Sequence, residues 1–357
     1  MLFVDASRYN NTAKKTGVEN YSFFLINELV KICPDDITLV SPKKIPLDVK
    51  QIVIPFPRLW TQIRLSLEVL RNKKIDNLFV PSHVLPLICP KKSTITIHDV
   101  AFKRLPESYG FLSRLYLDWS AKFAVKHAKK IIVPSQVTKK DLIDFYKCPP
   151  EKIHVIPLGF NAKIADVNSD DEQKVIGNWK LDNGNYILYV GRIEHKKNID
   201  TLIKAFCLLA KKTPETKLVL AGFIGRGGKE ILDSIPDKIK DRIIVTGYVS
   251  DEQKHALMKN AMCFIFPSRY EGFGLPLLEA MHYNLPIIAS KIPTSYEIAK
   301  DNALFFEVDD SERLASLMSE VTSNEALRAE MIKNHANTLK KYSWENCAKE
   351  TLDVLKL

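Results

Sequence analysis

Short apolar runs and longer amphipathic runs trade places almost from end to end of this 357-residue chain. The stretches LFVD, VENYSFFLINELVKI and ITLVS open the alternation, and IDNLFVPS, STITIHD, KKIIVPS and KIHVIPLG continue it as strands. Between them, LWTQIRLSLEVLRN, GFLSRLYLDWSAKFAVKHA and TKKDLIDFY carry apolar residues at helical spacing. A strand-helix alternation of this kind builds an open parallel sheet with helices on its faces. The polar, acidic segment NAKIADVNSDDEQKVIGNWKLDNG then interrupts the pattern and reads as a linker. The alternation begins afresh at NYILYVGR and runs through NIDTLIKAFCLLAKK, KLVLAG, RIIVTGYV, DEQKHALMKNA, CFIFPS, LPLLEAMHY, PIIAS, ALFFEV and SERLASLMSEVTS. The closing stretch, ALRAEMIKNHANTLKKYSWENCAKETLDVLK, reads as two helices. Length alone favours two domains of roughly 150 to 180 residues. The fold class is therefore α/β, two doubly wound domains facing across a cleft, with boundaries placed at 1–165 and 166–339. In such sheets ligands bind beyond the carboxyl ends of the strands, so the residues just past strand ends carry the chemistry.

Composition narrows the class further. Hydrophobic residues make up 46% and charged residues 26%, an ordinary globular mixture. No apolar stretch reaches the roughly 18 to 20 residues of a membrane-spanning helix. The start, MLFVDASRYN, reads as a strand and not as a secretory leader. Six cysteines lie far apart without a CxxC pair, which gives no support to a zinc site or a disulfide framework. A reduced, cytoplasmic protein is expected. The net charge of +10 sits in the first half, where residues 1–165 hold 26 Lys and Arg against 14 Asp and Glu. That excess suits an anionic membrane surface, a phosphorylated substrate or nucleic acid, and equally a lysine-rich solvated surface.

The segment EGFGLPLLEA sets Glu271 and Glu279 eight positions apart around a Gly-Phe-Gly-Leu-Pro turn. Pro276 suits the first position of a helix and Asn284 its left-handed stop, so a helix over about 276–283 is predicted, with Glu279 in its first turn. The free N–H groups of that turn make an anion site. Ser268 to Glu271 also fits a capping box, but such a box should open a helix, and the glycines and Pro276 interrupt one. After the strand YILYVG comes GRIEHKKN, whose Arg192, Lys196 and Lys197 can face the same anion or simply form a solvated loop. In the first half, ITIHDVAF puts His98 and Asp99 at a strand end. Gly17 is the single glycine after the first strand, and no GxGxxG dinucleotide fingerprint occurs. AGFIGRGG either borders a phosphate or turns the chain.

Taken together, FPSRYEGFGLPLLEAMHYNLPIIAS, YVGRIEHKKNIDTLIKAF, TGYVSDEQ and TIHDVAF resemble the retaining nucleotide-sugar glycosyltransferases of family 4, of GT-B fold, across essentially the whole chain. TIHDVAFKRLPESY looks most like the mannosyltransferase-type members that build bacterial surface polysaccharides. The resemblance implies that Glu279 binds the ribose hydroxyls and Glu271 lies at the donor sugar. It gives the N–H groups from Phe273 through Gly274 and Leu275 to Leu277 to the sugar and diphosphate, and Arg192 and Lys197 to the departing diphosphate. It likewise places His98, with Asp99, and Gly17 at the donor, and the base near Tyr248 and Val249. The last helix, about 340–357 and containing Trp344, is implied to return to the first domain. Two departures stand out: GVEN replaces a glycine pair, which puts Glu19 where a diphosphate would repel it unless it points away or binds the acceptor, and Asn284 replaces a glycine.

The expected reaction moves a hexosyl group, mannose favoured, from a nucleotide sugar (GDP-mannose favoured, a UDP-sugar the other option) to a glycan or lipid-linked acceptor. No Asp-x-Asp triplet occurs, so a metal-bridged diphosphate is not indicated and neither metal nor other cofactor is expected. A nucleotide-sugar epimerase of similar fold is the main alternative. A nucleic-acid-binding protein is the remote one, since the basic residues lack an aromatic-interleaved stripe. The two basic amphipathic helical segments of the first half suit either core packing or peripheral contact with an anionic inner membrane face.

Overall fold

The computed structural model describes residues 1–10, 12, 16–56, 59–160, 169–182 and 184–356. The chain divides into two compact units, Met1–Gly159 with Tyr342–Leu357, and Phe160–Lys341. The boundary expected at 165/166 falls within 161–168, outside the described residues.

The first unit holds β1 (Leu2–Asp5), β2 (Ile37–Ser41), β3 (Lys50–Val53), β4 (Asn77–Val80), β5 (Lys92–Thr96), β6 (Lys130–Val133) and β7 (Ile153–Val155). They form a seven-stranded sheet in the order β3-β2-β1-β4-β5-β6-β7, and every pairing is parallel. The second unit holds β8 (Tyr186–Val190), β9 (Lys217–Ala221), β10 (Ile243–Gly247), β11 (Cys263–Phe266), β12 (Ile287–Ser290) and β13 (Ala303–Phe306). These form a parallel six-stranded sheet in the order β10-β9-β8-β11-β12-β13. Strands such as LFVD and CFIF are buried along their whole length, which explains apolar runs without period-two alternation. The order reverses at β1/β4 and at β8/β11, the switch points where loops diverge and leave room for a ligand. GRIEHKKN leaves β8 and SRYEGFGLP leaves β11, so the second switch point lies between the two most informative motifs.

Three sequence readings change. The edge strand β3 was not anticipated; KQIV is exposed at both ends and runs into prolines, so it carries no buried strand signature. The closing stretch forms three helices, Glu325–Ile332, His335–Leu339 and Trp344–Lys356, where two were expected. The segment read as linker contains a helix, Ser169–Gly177, held by Glu172, which is bonded to His255 at 3.0 Å and Lys259 at 2.8 Å. Ion pairs hold this helix as well as the buried Ile176, so apolar periodicity could not reveal it.

The last helix packs on the Gly17–Ile32 helix of the first unit. Trp344 stacks on Phe24 with centroids 5.3 Å apart and tilts against Tyr21 at 6.0 Å. Lys130 Nζ donates to the Val354 carbonyl at 2.7 Å, satisfying one of the acceptors a helix C-terminus leaves open. Replacing a buried tryptophan by alanine costs about 3–5 kcal/mol. Trp344→Ala is expected to lose that much in a urea denaturation followed by circular dichroism, with an unchanged midpoint as the contrary result.

Candidate active site

In the second unit, Glu271 stands in the loop after β11 with its side chain 13% exposed. Lys197 Nζ forms an ion pair with its Oε1, Ser268 Oγ donates to the same oxygen at 2.7 Å, and Thr294 Oγ1 donates to its carbonyl at 2.6 Å. Burial alone would push the Glu271 carboxyl up. Lys197, then Lys196, and the hydrogen bonds from Lys197 and Ser268 outweigh it and hold the group below its ordinary value. The Ser268–Glu271 contact is thus real, yet no helix opens there; the helix begins at Leu275 and ends at His282. Gly274 sits at φ 152°, a conformation that favours glycine, and Asn284 takes the left-handed turn at φ 51°.

Glu279, on that helix, receives Lys254 Nζ at 2.8 Å, and Glu279 is the leading cause of the raised Lys254 pKa. Lys254 comes from the Asp251–Asn260 helix, whose next residue, His255, binds Tyr283 Oη and Glu172 Oε1, both at 3.0 Å. The two glutamates therefore each hold a lysine from a different element.

The loop after β8 is fixed by Arg269, which the sequence reading missed. Its guanidinium donates to Asn198 Oδ1 and to the His195 carbonyl at 3.1 Å, and pairs with Asp200 at 3.0 Å and Asp309 at 2.6 Å. Arg269 N also donates to the Lys196 carbonyl at 3.0 Å. This clamp sets the short helical turn His195–Lys197 so that Lys197 reaches Glu271. Arg192 is exposed and makes no ion pair among the described residues.

Gly191, Gly222 and Gly247 lie at the carboxyl ends of β8, β9 and β10. A Cβ on Gly222 would lie 2.0 Å from the Gly191 carbonyl oxygen, at φ 147°, so a side chain is excluded. Just beyond, Tyr248 stacks on Phe223 at 4.9 Å, both rings exposed, and Val249 is half-buried. Phe273 and Leu277 are buried, and the Leu277 amide donates to the Gly274 carbonyl at 2.9 Å, so that one amide of the expected Phe273–Leu277 cradle is already committed.

In the first unit, the His98 ring meets Tyr21 edge-on at 4.6 Å and His83 at 5.0 Å. Burial, reinforced by His83, lowers its pKa to about 3 against the opposing effects of Asp99 and the Pro81 carbonyl, so the ring is neutral. His98 Nε2 is buried without a hydrogen-bond partner. Asp99 Oδ1 accepts from the Ala101 amide at 2.9 Å. Gly17 is the first residue of its helix, exposed and in open space. Glu19 completes a capping box, accepting from Thr16 N at 2.7 Å. Among the described residues no group of three or more His, Cys, Asp or Glu could hold a metal ion.

Two doubly wound parallel sheets, with motif-bearing loops leaving their strand ends, define a glycosyltransferase of GT-B fold. The chain belongs to glycosyltransferase family 4: the family model described as Glycosyltransferase Family 4 matches residues 16–163, and that described as Glycosyl transferases group 1 matches residues 170–338. The O-antigen chain mannosyltransferase B of Escherichia coli is 27% identical over 269 residues, 75% of this chain and 71% of that protein. The O-antigen chain mannosyltransferase RfbU of Salmonella typhimurium is 29% identical over 290 residues, 80% and 74% of the two chains. HepE of Anabaena, solved in complex with UDP and glucose, shares the fold at TM-score 0.73 and 18% identity, over 99% of this chain and 98% of that one. WaaG, a glycosyltransferase involved in lipopolysaccharide biosynthesis, does so at TM-score 0.75 and 16% identity, over 99% of both chains.

Removing one partner of a buried ion pair costs about 3–5 kcal/mol, and partial exposure places Lys197→Met at the lower end. With its folded pKa depressed, Glu271 contributes stability at neutral pH that is lost as pH falls through that value. In Lys197→Met the leading cation opposing burial is lost and the folded pKa is less depressed, so the variant's deficit should grow as pH rises through the carboxylate range. Urea midpoints of both proteins from roughly pH 3 to 8 test this; a deficit independent of pH would contradict it.

Proposed function

We propose that this glycosyltransferase is retaining and moves a hexosyl group, mannosyl favoured, from a nucleotide sugar to a glycan or lipid-linked acceptor of a surface polysaccharide. The observation that carries the reading is the pair of lysine-held glutamates, Lys197–Glu271 and Lys254–Glu279, flanking one glycine-containing turn. Glu279 Oε1 is held by Lys254, which leaves Oε2 to accept from the ribose hydroxyls. Glu271 meets the donor sugar. Arg192, Lys197 and the start of the Leu275–His282 helix stabilise the charge that develops on the diphosphate. The bond from the sugar C1 to the phosphate oxygen breaks with its electron pair going to phosphate. The acceptor oxygen bonds C1 from the same face, and its proton passes to the phosphate. His98, neutral and with Nε2 unpartnered, contacts the donor sugar, with Asp99 and Gly17 nearby, and Tyr248 and Val249 meet the base. The names of the two mannosyltransferase relatives support the sugar and the polysaccharide setting; HepE, solved with UDP and glucose, keeps a UDP-sugar in view.

Calorimetric titration with GDP, UDP, GDP-mannose, UDP-glucose and UDP-N-acetylglucosamine tests the donor, run in excess EDTA because no metal is expected to be required. One nucleotide series should bind, with GDP favoured. Glu279→Ala should lose about 10- to 100-fold, the loss of charge-assisted hydrogen bonds. Binding that appears only with magnesium or manganese would overturn the metal-free part, and an epimer formed without acceptor would favour an epimerase.

A place at the cytoplasmic face of an anionic membrane belongs to the same proposal. Among the described residues no helix is long and apolar enough to cross a membrane. The Phe111–His127 helix, however, exposes Phe111 at 65% and Leu112 at 78% in its first turn and carries Arg114, Lys122 and Lys126 along its length. The protein should float with liposomes containing anionic lipid and lose that on Leu112→Glu; flotation indifferent to lipid charge would remove this part.

A further inference from the structure

We infer that the first unit carries a second small-molecule site, for a soluble phosphate monoester on a hydroxylated body, as in a sugar phosphate. It is an open cavity at the amino ends of β1, β2 and β3. The inference does not depend on the transferase reading. In this sheet the motif-bearing loop with His98 and Asp99 leaves a carboxyl end, that of β5, and the cavity lies at the opposite edge. The cavity measures about 640 Å³. Ligand pockets run to about 300–1,000 Å³, so a hexose phosphate fits.

Strand register builds one wall. Phe3, Thr38 and Lys50 are cross-strand partners on β1, β2 and β3, so their side chains stand on one face of the sheet. Ile52, two residues past Lys50, shares that face. Phe3 is buried and Ile52 packs against the same core, which gives the cavity an apolar floor. The other wall is the loop 72–76, between the Ser66–Arg71 helix and β4. Asn72 Oδ1 accepts from the Lys74 amide at 3.2 Å, and the Lys74 carbonyl accepts from the Asp76 amide at 3.0 Å. These bonds order the turn that presents Lys73 and Lys74.

Charge selects the ligand. Lys50, Lys73 and Lys74 all line the cavity, are exposed, and make no ion pair among the described residues. Asp76 is the one carboxylate among the described lining residues, so three ammonium groups face a single negative charge. A phosphate monoester brings about −1.5 to −2 at neutral pH and answers the remaining excess, which a carboxylate or a neutral sugar does not. Thr38 supplies an independent sign. It is only 7% exposed and lines the cavity, and its hydroxyl makes no hydrogen bond among the described residues. Such a hydroxyl finds its partner in what fills the cavity. Thr38 and Asp76 therefore meet the hydroxyls of the ligand while the lysines hold its phosphate. A nucleic acid strand fits worse, because the one ring on the wall, Phe3, is buried and offers no face for a base to stack on.

Calorimetric titration of the full chain at low ionic strength, with mannose 6-phosphate, glucose 1-phosphate and inorganic phosphate as probes, tests the site. At least one ester should bind saturably and more tightly than inorganic phosphate. Lys73→Ala/Lys74→Ala, a double change at exposed positions, should weaken it on the order of tenfold. Thr38→Val, which keeps the shape and removes the hydroxyl, should weaken it roughly fivefold. Glu279→Ala, in the second unit, should bind the ester as the wild type does, which separates this site from that of the donor. Four results overturn the proposal: no ester binding, an ester bound no more tightly than inorganic phosphate, binding unchanged in both the lysine and the threonine variants, or binding lost in Glu279→Ala. Vesicles containing phosphatidic acid complete the set. If they alone bind, and the lysine variant loses that binding, the ligand is a lipid headgroup and the soluble ester is overturned.

Discussion

Glu271 is a mostly buried carboxylate, and the loops of the second unit are arranged around the need to keep it charged. Desolvation works against it, and the two lysines, aided by the Ser268 hydroxyl, reverse the balance. The nearest strand cannot supply them from its own side chains, because β11 is buried along its length. They arrive instead from the loop after β8, across the switch point of the sheet. Holding lysines there requires an anchor, and Arg269 provides it by spanning Asn198, Asp200 and Asp309. Asn198 adopts a left-handed conformation at φ 59° to start the following helix, which keeps the lysine turn short. One charge requirement thus links three separate stretches of chain.

Much of this architecture was legible because parallel sheets buried on both faces write apolar runs into the sequence, and twelve of the thirteen strands among the described residues correspond to runs such as YILYVG and CFIFPS. What escaped detection was held by other means. The β3 edge has little to bury, and the Ser169–Gly177 helix is secured partly by Glu172 and its ion pairs. At the site, Glu271, Glu279 and Lys197 stand in motifs that spacing makes visible. Their supports do not: Lys254 lies 25 residues from Glu279, and Arg269 lies 69 residues from Asp200. Side-chain partners at such separations leave no local pattern. The Thr16–Glu19 capping box was visible in principle as T-x-x-E, and it accounts for a glutamate that otherwise looked misplaced.

The first unit solves a different problem, that of holding an uncharged imidazole. His98 is wedged between Tyr21 and His83, and Tyr21 is itself backed by Trp344 from the far end of the chain. Its hydroxyl contacts Thr96 Oγ1 at 3.1 Å, on the strand that leads to His98. The ring is therefore positioned by packing from both chain termini and kept neutral by the same packing. A histidine in such a setting is an instrument of hydrogen bonding and shape, with no part in proton traffic near neutral pH.

The glycines at the ends of β8, β9 and β10 carry an evolutionary consequence. Where Gly222 faces the Gly191 carbonyl there is no room for even a methyl group, and Gly247 holds φ 70°. At Gly222 a point mutation cannot decorate that rim without displacing the Gly191 backbone, and at Gly247 it meets open space but a strained backbone. Divergence in what the rim accommodates is therefore channelled to the first side chains beyond it, of which Arg192, Phe223 and Tyr248 are exposed and stand clear of the sheet beneath.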